Sequence, residues 1–387
     1  MQCYLDHNAS APLLSEAKNA MFAAIDLVGN PSSIHREGRK ARKTIEDVRQ
    51  NLADVVKVDA NQIIFTSGAT EAAQTVLASK LRYGSTSVSL SHLYVSAIEH
   101  PSVLAGGRFD ADQITKFGVE ESGIIDLGEL EKVLAVHDHN LGAPLVAVML
   151  ANNETGVIQP VRQAAEIVRA HNGYLCVDAV QAFGKVSIDF SDLGAHFVFV
   201  SAHKIGGPKG VGAIICMEKD LTPQPLIRGG GQENLSRAGT ENVAAIAGFG
   251  AAVTRAATDL AERQHVGRMR DRIELDLEEI SRRQSNKVPL PVFFGSSQPR
   301  LDNTSCFAVD GIKAETALIA LDLQGISVSS GSACSSGRVN QSHVLGAMGV
   351  DPDLAECTLR VSIGHQTTNE ETRHFLNVWQ TIIEQRS

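Results

Sequence analysis

No run of about 18 or more apolar residues appears in this 387-residue chain, so nothing in it is expected to span a bilayer. The opening residues, MQCYLDHNAS, have neither a basic stretch nor an apolar core, so no secretory signal is expected. Positive charge is not in excess. Lys and Arg number 35 against 44 Asp and Glu, a formal net charge of −9. That speaks against a general nucleic-acid or anionic-membrane surface and leaves only a local basic patch open. The signature of disorder is missing too, because 43% of the residues are hydrophobic and 20% charged. No internal repeat or low-complexity tract is visible. What remains is a soluble, cytoplasmic globular protein, long enough for two or three domains.

Cysteine is sparse and scattered: Cys3, Cys176, Cys216, Cys306, Cys334 and Cys357. With no CxxC and no Cys/His cluster, a structural zinc site or a disulfide framework is not expected. Five of the six read as small buried hydrophobes. Cys334 differs because its neighbours, Ser329-Ser330-Gly331-Ser332-Ala333-Cys334-Ser335-Ser336-Gly337, are small and polar. Such a segment has little to bury, and a thiol carried on it is accessible to act as a nucleophile.

Along the chain, strand-length apolar runs alternate with helix-period segments. Ala41, Ile45, Val48, Leu52, Val55 and Val56 share a helical face. Ile63-Ile64-Phe65, Leu145 to Leu150, Tyr174 to Val177 and Phe197 to Val200 read as buried strands, and Val161 to Ala170 as a helix. Continuously apolar strands joined by helices argue for a mostly parallel sheet covered on both faces. A charged stretch from about Arg255 to Arg283 looks like a passage between domains. Beyond it, Asn303 to Val309, Ile326 to Ser329 and Thr358 to Ile363 read as strands, with helices at Lys313 to Leu323 and Glu370 to Ile383, suggesting a smaller α+β unit.

Several strand ends carry chemistry. Ser201-Ala202-His203-Lys204-Ile205-Gly206-Gly207 follows a buried strand, where ligands of open α/β sheets bind. A lysine there suits a Schiff base with a phosphate-bearing aldehyde cofactor, although a Gly-rich surface turn is the plainer reading. Asp178 ends the preceding strand and could hold a ring nitrogen protonated, or simply cap a turn. Ser67-Gly68-Ala69-Thr70 joins a strand to a helix, an anion site by geometry and often just a cap. His100 could stack on a ring and move protons, or be an ordinary hydrogen-bonded histidine. Asn153 ends another strand. Arg360 has the planar fork for a carboxylate and could equally serve a structural ion pair.

Taken together, these motifs resemble the cysteine desulfurases of the iron–sulfur and nitrogen-fixation type. These belong to the class-V aminotransferase family of fold-type-I (aspartate aminotransferase-like) pyridoxal-phosphate enzymes. The resemblance runs from Tyr4-Leu5-Asp6-His7-Asn8-Ala9 through Gly29-Asn30-Pro31-Ser32-Ser33-Ile34-His35 to the last helix, and is most specific at Ala-His-Lys204, Gly-Thr240 and Gly-Ser-Ala-Cys334. It implies an α/β fold: a large domain, residues 15–255, with a mostly parallel seven-stranded sheet, and a smaller α+β domain of 1–14 and 256–387 carrying the catalytic cysteine.

The resemblance also implies roles. Lys204 becomes the Schiff-base lysine and catalytic base on pyridoxal 5′-phosphate, with His100 on the ring, Asp178 at the ring nitrogen, and Gln181 and Asn153 near the phenolic oxygen. Ala69, Thr70, Ser201 and His203 hold the phosphate, completed by Thr240 from the second subunit of a homodimer. Asn8, Asn153 and Arg360 bind the substrate L-cysteine, and Cys334 takes its sulfur as a persulfide while alanine leaves. Cys334 would meet iron only when donating that sulfur to a nascent cluster on an iron–sulfur scaffold or another acceptor protein. No membrane or direct nucleic-acid partner is implied. The sequence departs from the family at His7 and Ser10, at Ala72, Ala73 and Gln74, and at His365, where arginine often stands. A selenocysteine lyase, or another pyridoxal-phosphate lyase or aminotransferase, stays open as the alternative; a scaffold that has lost its chemistry is disfavoured by Lys204, Asp178, His100 and Cys334 together.

Overall fold

The computed structural model describes residues 2–259, 264–284, 288–330 and 341–386. Apolar runs that are buried on both sides become the middle of a nine-stranded sheet. Its spatial order is Leu221–Pro223, Lys80–Tyr83, Thr86–Ser96, Ala143–Met149, Tyr174–Asp178, Phe197–Ser201, Gly212–Cys216 and Ile63–Thr66. Ile114–Phe117 pairs with the second half of Thr86–Ser96. The run from Ile114–Phe117 to Phe197–Ser201 is parallel throughout. Gly212–Cys216 and Ile63–Thr66 then close the far edge antiparallel.

These seven strands match the expected sheet in number and in being mostly parallel. Two more extend it, Lys80–Tyr83 as a hairpin with Thr86–Ser96, and Leu221–Pro223 on its outer edge. Their composition, KLRY and LTP, lacks the apolar run of a central strand, because one side of an edge strand faces water. The central strands Ala143–Met149, Tyr174–Asp178 and Phe197–Ser201 are almost wholly buried.

A second, four-stranded antiparallel sheet runs Val292–Phe293, Thr304–Ala308, Thr358–Ser362, Ser329–Ser330. Alternation sends its side chains to two cores. Phe307, Leu359 and Val361 pack with Ile273, Leu277, Phe375 and Trp379 of the helices Gln264–Arg283 and Asn369–Arg386. Cys306 and Ala308 join the cluster that also covers the large sheet. The amino-terminal strand Cys3–Tyr4 pairs in parallel with Ile326–Ser327, and Cys3 and Leu5 pack with that smaller core. Among the described residues no helix is long and apolar enough to cross a membrane.

A buried ion pair fixes one further stretch. Arg49 of the helix Arg36–Val56 forms a two-pronged pair with Glu233, both contacts at 2.7 Å, and lies 4.8 Å from the Phe65 ring centroid. The Phe65 N–H donates to the same carboxylate at 2.8 Å. These contacts hold Glu233, Asn234 and Leu235 in three successive left-handed conformations, at φ 45, 53 and 64°. Such residues cost of order 1–3 kcal/mol each and persist only where their surroundings overdetermine them.

Candidate functional site

The parallel strands release their chemistry at their carboxyl ends, and a cavity of about 430 Å³ opens there. Ala69, Thr70, His100, Asn153, Asp178, Gln181, Ser201, His203 and Lys204 all line it, bringing together the expected cofactor residues other than Thr240. Thr240 is exposed, outside this wall. Its loop is held nearby all the same: Arg237 pairs with Glu71 at 3.0 Å, and Glu71 lines the cavity. Cys334 lies outside the described residues.

Lys204 closes the short turn Ala202–Lys204 after the strand Phe197–Ser201. Its ammonium donates to the Asn8 carbonyl at 2.6 Å and the Ala9 carbonyl at 3.0 Å. Burial, then the Arg360 charge, lowers its pKa to about 8, against the opposing pull of Asp178 and Asp6. Asp178 ends the strand Tyr174–Asp178, is 7% exposed and accepts the Val180 N–H at 2.9 Å. Burial lifts its carboxyl to about 6, while that hydrogen bond and Lys204 hold it down.

His100 caps the short helix Pro101–Leu104, its Nδ1 bonded to the Ser102 hydroxyl at 2.8 Å. Its ring faces the cavity and the residue is exposed there. Desolvation by the surrounding atoms, then the Lys204 charge and His343, lowers it to about 4. His203 falls to about 4 for like reasons, burial first and then Lys204, Lys209 and Lys185. Both imidazoles are neutral at neutral pH.

At the opposite wall Gly68 precedes the helix Ala69–Val76. The first N–H groups of a helix have no partner within it and attract an anion. Burial works to raise Glu71, but hydrogen bonds from Arg237 and Ser67 outweigh it and keep its pKa low. The side chains fit a phosphate-bearing pyridine aldehyde. The cavity offers an anion seat, an amine, a carboxylate, and the buried Asn153 Oδ1, which finds no hydrogen-bond partner among the described residues.

Two expected substrate residues flank the cavity rather than line it. Arg360, 6% exposed on the strand Thr358–Ser362, donates to Asp6 at 2.6 Å and to the Asn153 carbonyl at 2.9 Å, and its Nε is unpaired. Asn8 donates to the Asn153 carbonyl at 3.3 Å and to Thr304 at 2.9 Å. Its own side-chain oxygen accepts from Lys185 and Asn303.

The segment bearing Cys334 leaves and rejoins the described structure beside these groups. Ser329 pairs directly with Arg360. After the gap, Ser342 donates to the Glu154 carboxylate at 2.5 Å, next in sequence to Asn153, and His343 bonds the Glu99 carbonyl at 2.9 Å, next to His100. Four residues separate Ser330 from Cys334, a reach of at most about 14 Å. The other five cysteines are all buried. Burial raises the Cys3 and Cys216 thiols to about 12 and pushes Cys176 and Cys306 up as well, which makes them poor nucleophiles.

Sequence reasoning missed Glu71, Glu99, Glu154 and Lys185. Each acid adjoins a residue that was singled out, which is the one signal available. Lys185 follows Gln181 by one helical turn and bonds its side-chain oxygen at 2.8 Å. Among the described residues no group of three or more His, Cys, Asp or Glu is placed to hold a metal ion.

The family model for class-V aminotransferases matches residues 3–375. A cysteine desulfurase, IscS, of Dictyoglomus turgidum is 36% identical over 387 residues, covering 99% of this chain and 95% of that protein. A NifS-like protein of Rickettsia africae has a similar structure, with a TM-score of 0.85 and 31% identity over 99% of this chain and all of that one. SspA solved in complex with cysteine is similar at a TM-score of 0.71 and 26% identity, covering 93% of this chain and 98% of that one. The likeness runs the length of the chain: it belongs to the class-V aminotransferase family, among relatives that are cysteine desulfurases.

Proposed function

We infer that this protein is a pyridoxal-phosphate-dependent cysteine desulfurase that moves the sulfur of L-cysteine onto Cys334 and releases L-alanine. The observation that carries the reading is the convergence of Lys204, Asp178 and the Ala69–Thr70 helix start on one cavity, with both ends of the Cys334 segment anchored at its rim. The SspA complex with cysteine supports the choice of substrate. Ala69, Thr70, Ser201 and His203 would hold the phosphate, with Thr240 of a second copy, and Gln181 and Asn153 the phenolic oxygen. When bound, the cofactor supplies an electron sink for charge developing at the substrate Cα.

The chain's own groups do the rest. Lys204, at about 8, keeps an appreciable neutral-amine fraction near neutral pH, which lets it bond the aldehyde and take the Cα proton. Asp178 would face the ring nitrogen of the bound cofactor, and a positive charge there would hold its carboxylate ionised. Arg360, through its unpaired Nε, and Asn8 with Asn153 orient the substrate carboxylate. Lys204's charge is one cause of the low basicity of His100, so His100 gains basicity whenever Lys204 gives up its proton. It then accepts the Cys334 thiol proton. The thiolate attacks the substrate sulfur: the S–S bond forms as the Cβ–S bond breaks, the C–S electrons go to Cβ, which takes up one proton, and return of the proton held by Lys204 to Cα completes alanine.

The persulfide would pass to an iron–sulfur scaffold or another sulfur-acceptor protein, in the cytoplasm. The same reading divides the chain into a cofactor domain, 15–255, and a second domain of 1–14 and 256–387; the packing of Cys3 and Leu5 with the smaller core supports that division.

The test is alanine released from L-cysteine by purified protein with reductant, beside Cys334→Ala. Stoichiometric alanine and sulfide from the parent, lost in the variant with cofactor absorbance kept, is the expected result. Alanine persisting in the variant removes Cys334 from the reaction, and none from either protein points to another substrate.

A further inference from the structure

A second cavity, of about 110 Å³, lies behind Lys204. Lys204 lines both cavities, and the Asn8–Ala9 backbone that accepts its hydrogen bonds forms part of the partition. The charged groups around the second cavity are Lys185, Lys204 and Asp302, with the imidazoles of His7 and His365. In cofactor-free protein two cations face one carboxylate; with Lys204 joined to cofactor, Lys185 balances Asp302, so charge does not oppose an anion. The remaining lining, including Leu14, Ile205, Val266 and Ile363, is apolar.

His7 is the polar group without an assignment. It is 8% exposed, lines the cavity, and among the described residues neither ring nitrogen makes a hydrogen bond. Its ring is held in place. The His7 N–H donates to the Ser362 carbonyl at 3.0 Å, the Tyr4 ring lies 5.5 Å away, and a Cβ on Gly364 would come within 2.2 Å of the imidazole. The ring nitrogens face the cavity rather than a protein acceptor, so a ligand acceptor there meets a donor that has no protein partner to give up. Burial, with Lys185 and His365, lowers His7 to about 4, so the ring is neutral and keeps one N–H to donate. His7 and His365, both departures noted in the sequence, meet here.

We propose that this second cavity binds a short-chain monocarboxylate, its carboxylate on the His7 N–H beside Lys185 and its aliphatic end against Ile205, Val266 and Ile363. The volume admits only a few heavy atoms, and the apolar wall favours a carboxylate over a fully hydrated inorganic anion. Because Lys204 borders both cavities, a bound carboxylate favours its protonated form. The site does not depend on the desulfurase reading.

The experiment is isothermal titration of sodium propionate into the full-length, cofactor-loaded protein at constant ionic strength, with sodium sulfate as the comparison. Saturable propionate binding is expected, weakened roughly 10- to 100-fold in His7→Ala, the loss of one hydrogen bond to a charged group. His7→Gln, which keeps a donor, should bind within a few-fold of the parent, and it carries the test if the alanine variant fails to fold. Absence of saturable binding in the parent, sulfate binding as tightly as propionate, or equal affinity in the parent and His7→Ala would each overturn the site.

Discussion

Glu154 offers the sharpest test of how the site is held. Its carboxyl is 2% exposed and accepts the Ser342 hydroxyl at 2.5 Å. Burial lifts its pKa from 4.5 to about 7, against the pull of Ser342 and Arg360. That rise is worth about 3 kcal/mol at about 1.4 kcal/mol per pH unit. The folded chain keeps this proton between pH 4.5 and about 7, whereas the unfolded chain has lost it. Stability from this group is therefore fully present below pH 4.5 and is lost as pH rises through about 7. Glu154→Gln cannot ionise, and its amide oxygen still accepts the Ser342 hydroxyl. At pH 5 parent and variant should match within about 1 kcal/mol, the scale of one neutral hydrogen bond. At pH 8.5 the variant should be more stable by about 2–3 kcal/mol, roughly 3 °C in Tm. The assay is thermal and urea unfolding of both proteins from pH 5 to 8.5. A gap that stays constant across that range would show that Glu154 is ionised throughout and refute the reasoning. The comparison isolates Glu154, because His7, His100, His196 and His203 titrate alike in both proteins.

Two further outcomes follow from the geometry. Glu233→Gln removes the two-pronged partner of the buried Arg49, leaving it only Glu46 at 3.1 Å, and should cost about 2–4 kcal/mol, seen as a drop in Tm; a loss below about 1 kcal/mol would mean that the left-handed turn at 233–235 stands without it. In cofactor-free protein, borohydride-trapped alkylation of Lys204, followed by peptide mass spectrometry, should rise through pH about 8. A midpoint near the 10.5 of an ordinary lysine would contradict the buried, Arg360-facing environment.

The sequence announced its central strands because they are buried on both faces. Tyr174 to Val177 and Phe197 to Val200 are continuous apolar runs, and Val161–Ala170 is a helix with the bounds its pattern suggested. Thr86–Ser96 stayed hidden, since TSVSLSHLYVS mixes serine and histidine into a strand whose first half lies at a sheet edge. Ile326 to Ser329 reads as one strand and is two, Ile326–Ser327 pairing with Cys3–Tyr4 and Ser329–Ser330 with Arg360 and Leu359. No local pattern encodes a partner more than 300 residues away. The cavity residues were legible because each lies at, or within a few residues beyond, the carboxyl end of a strand. Glu99 and Glu154 were not, for a buried acid looks like a surface one until its neighbours are known. The second cavity is equally invisible, being made of residues 7, 185, 204 and 365.

The threading of the amino-terminal segment sets an order on synthesis. Asn8 donates its backbone N–H to Ser362, and its side chain bonds Lys185, Asn303 and Thr304, while its carbonyl takes Gln181 and Lys204. Asn8 is thus locked by residues that follow it roughly 300–350 positions later in the sequence. At roughly 5–20 residues per second, Asn8 waits of order twenty seconds to a minute for Ser362 to be made. Until then Asn8 meets Gln181, Lys185 and Lys204 without its anchors to Asn303, Thr304 and Ser362, and a nascent chain carrying every strand of the large sheet still lacks Arg360 beside its cavity. The same few residues near the start of the sequence thus tie both sheets to one cavity.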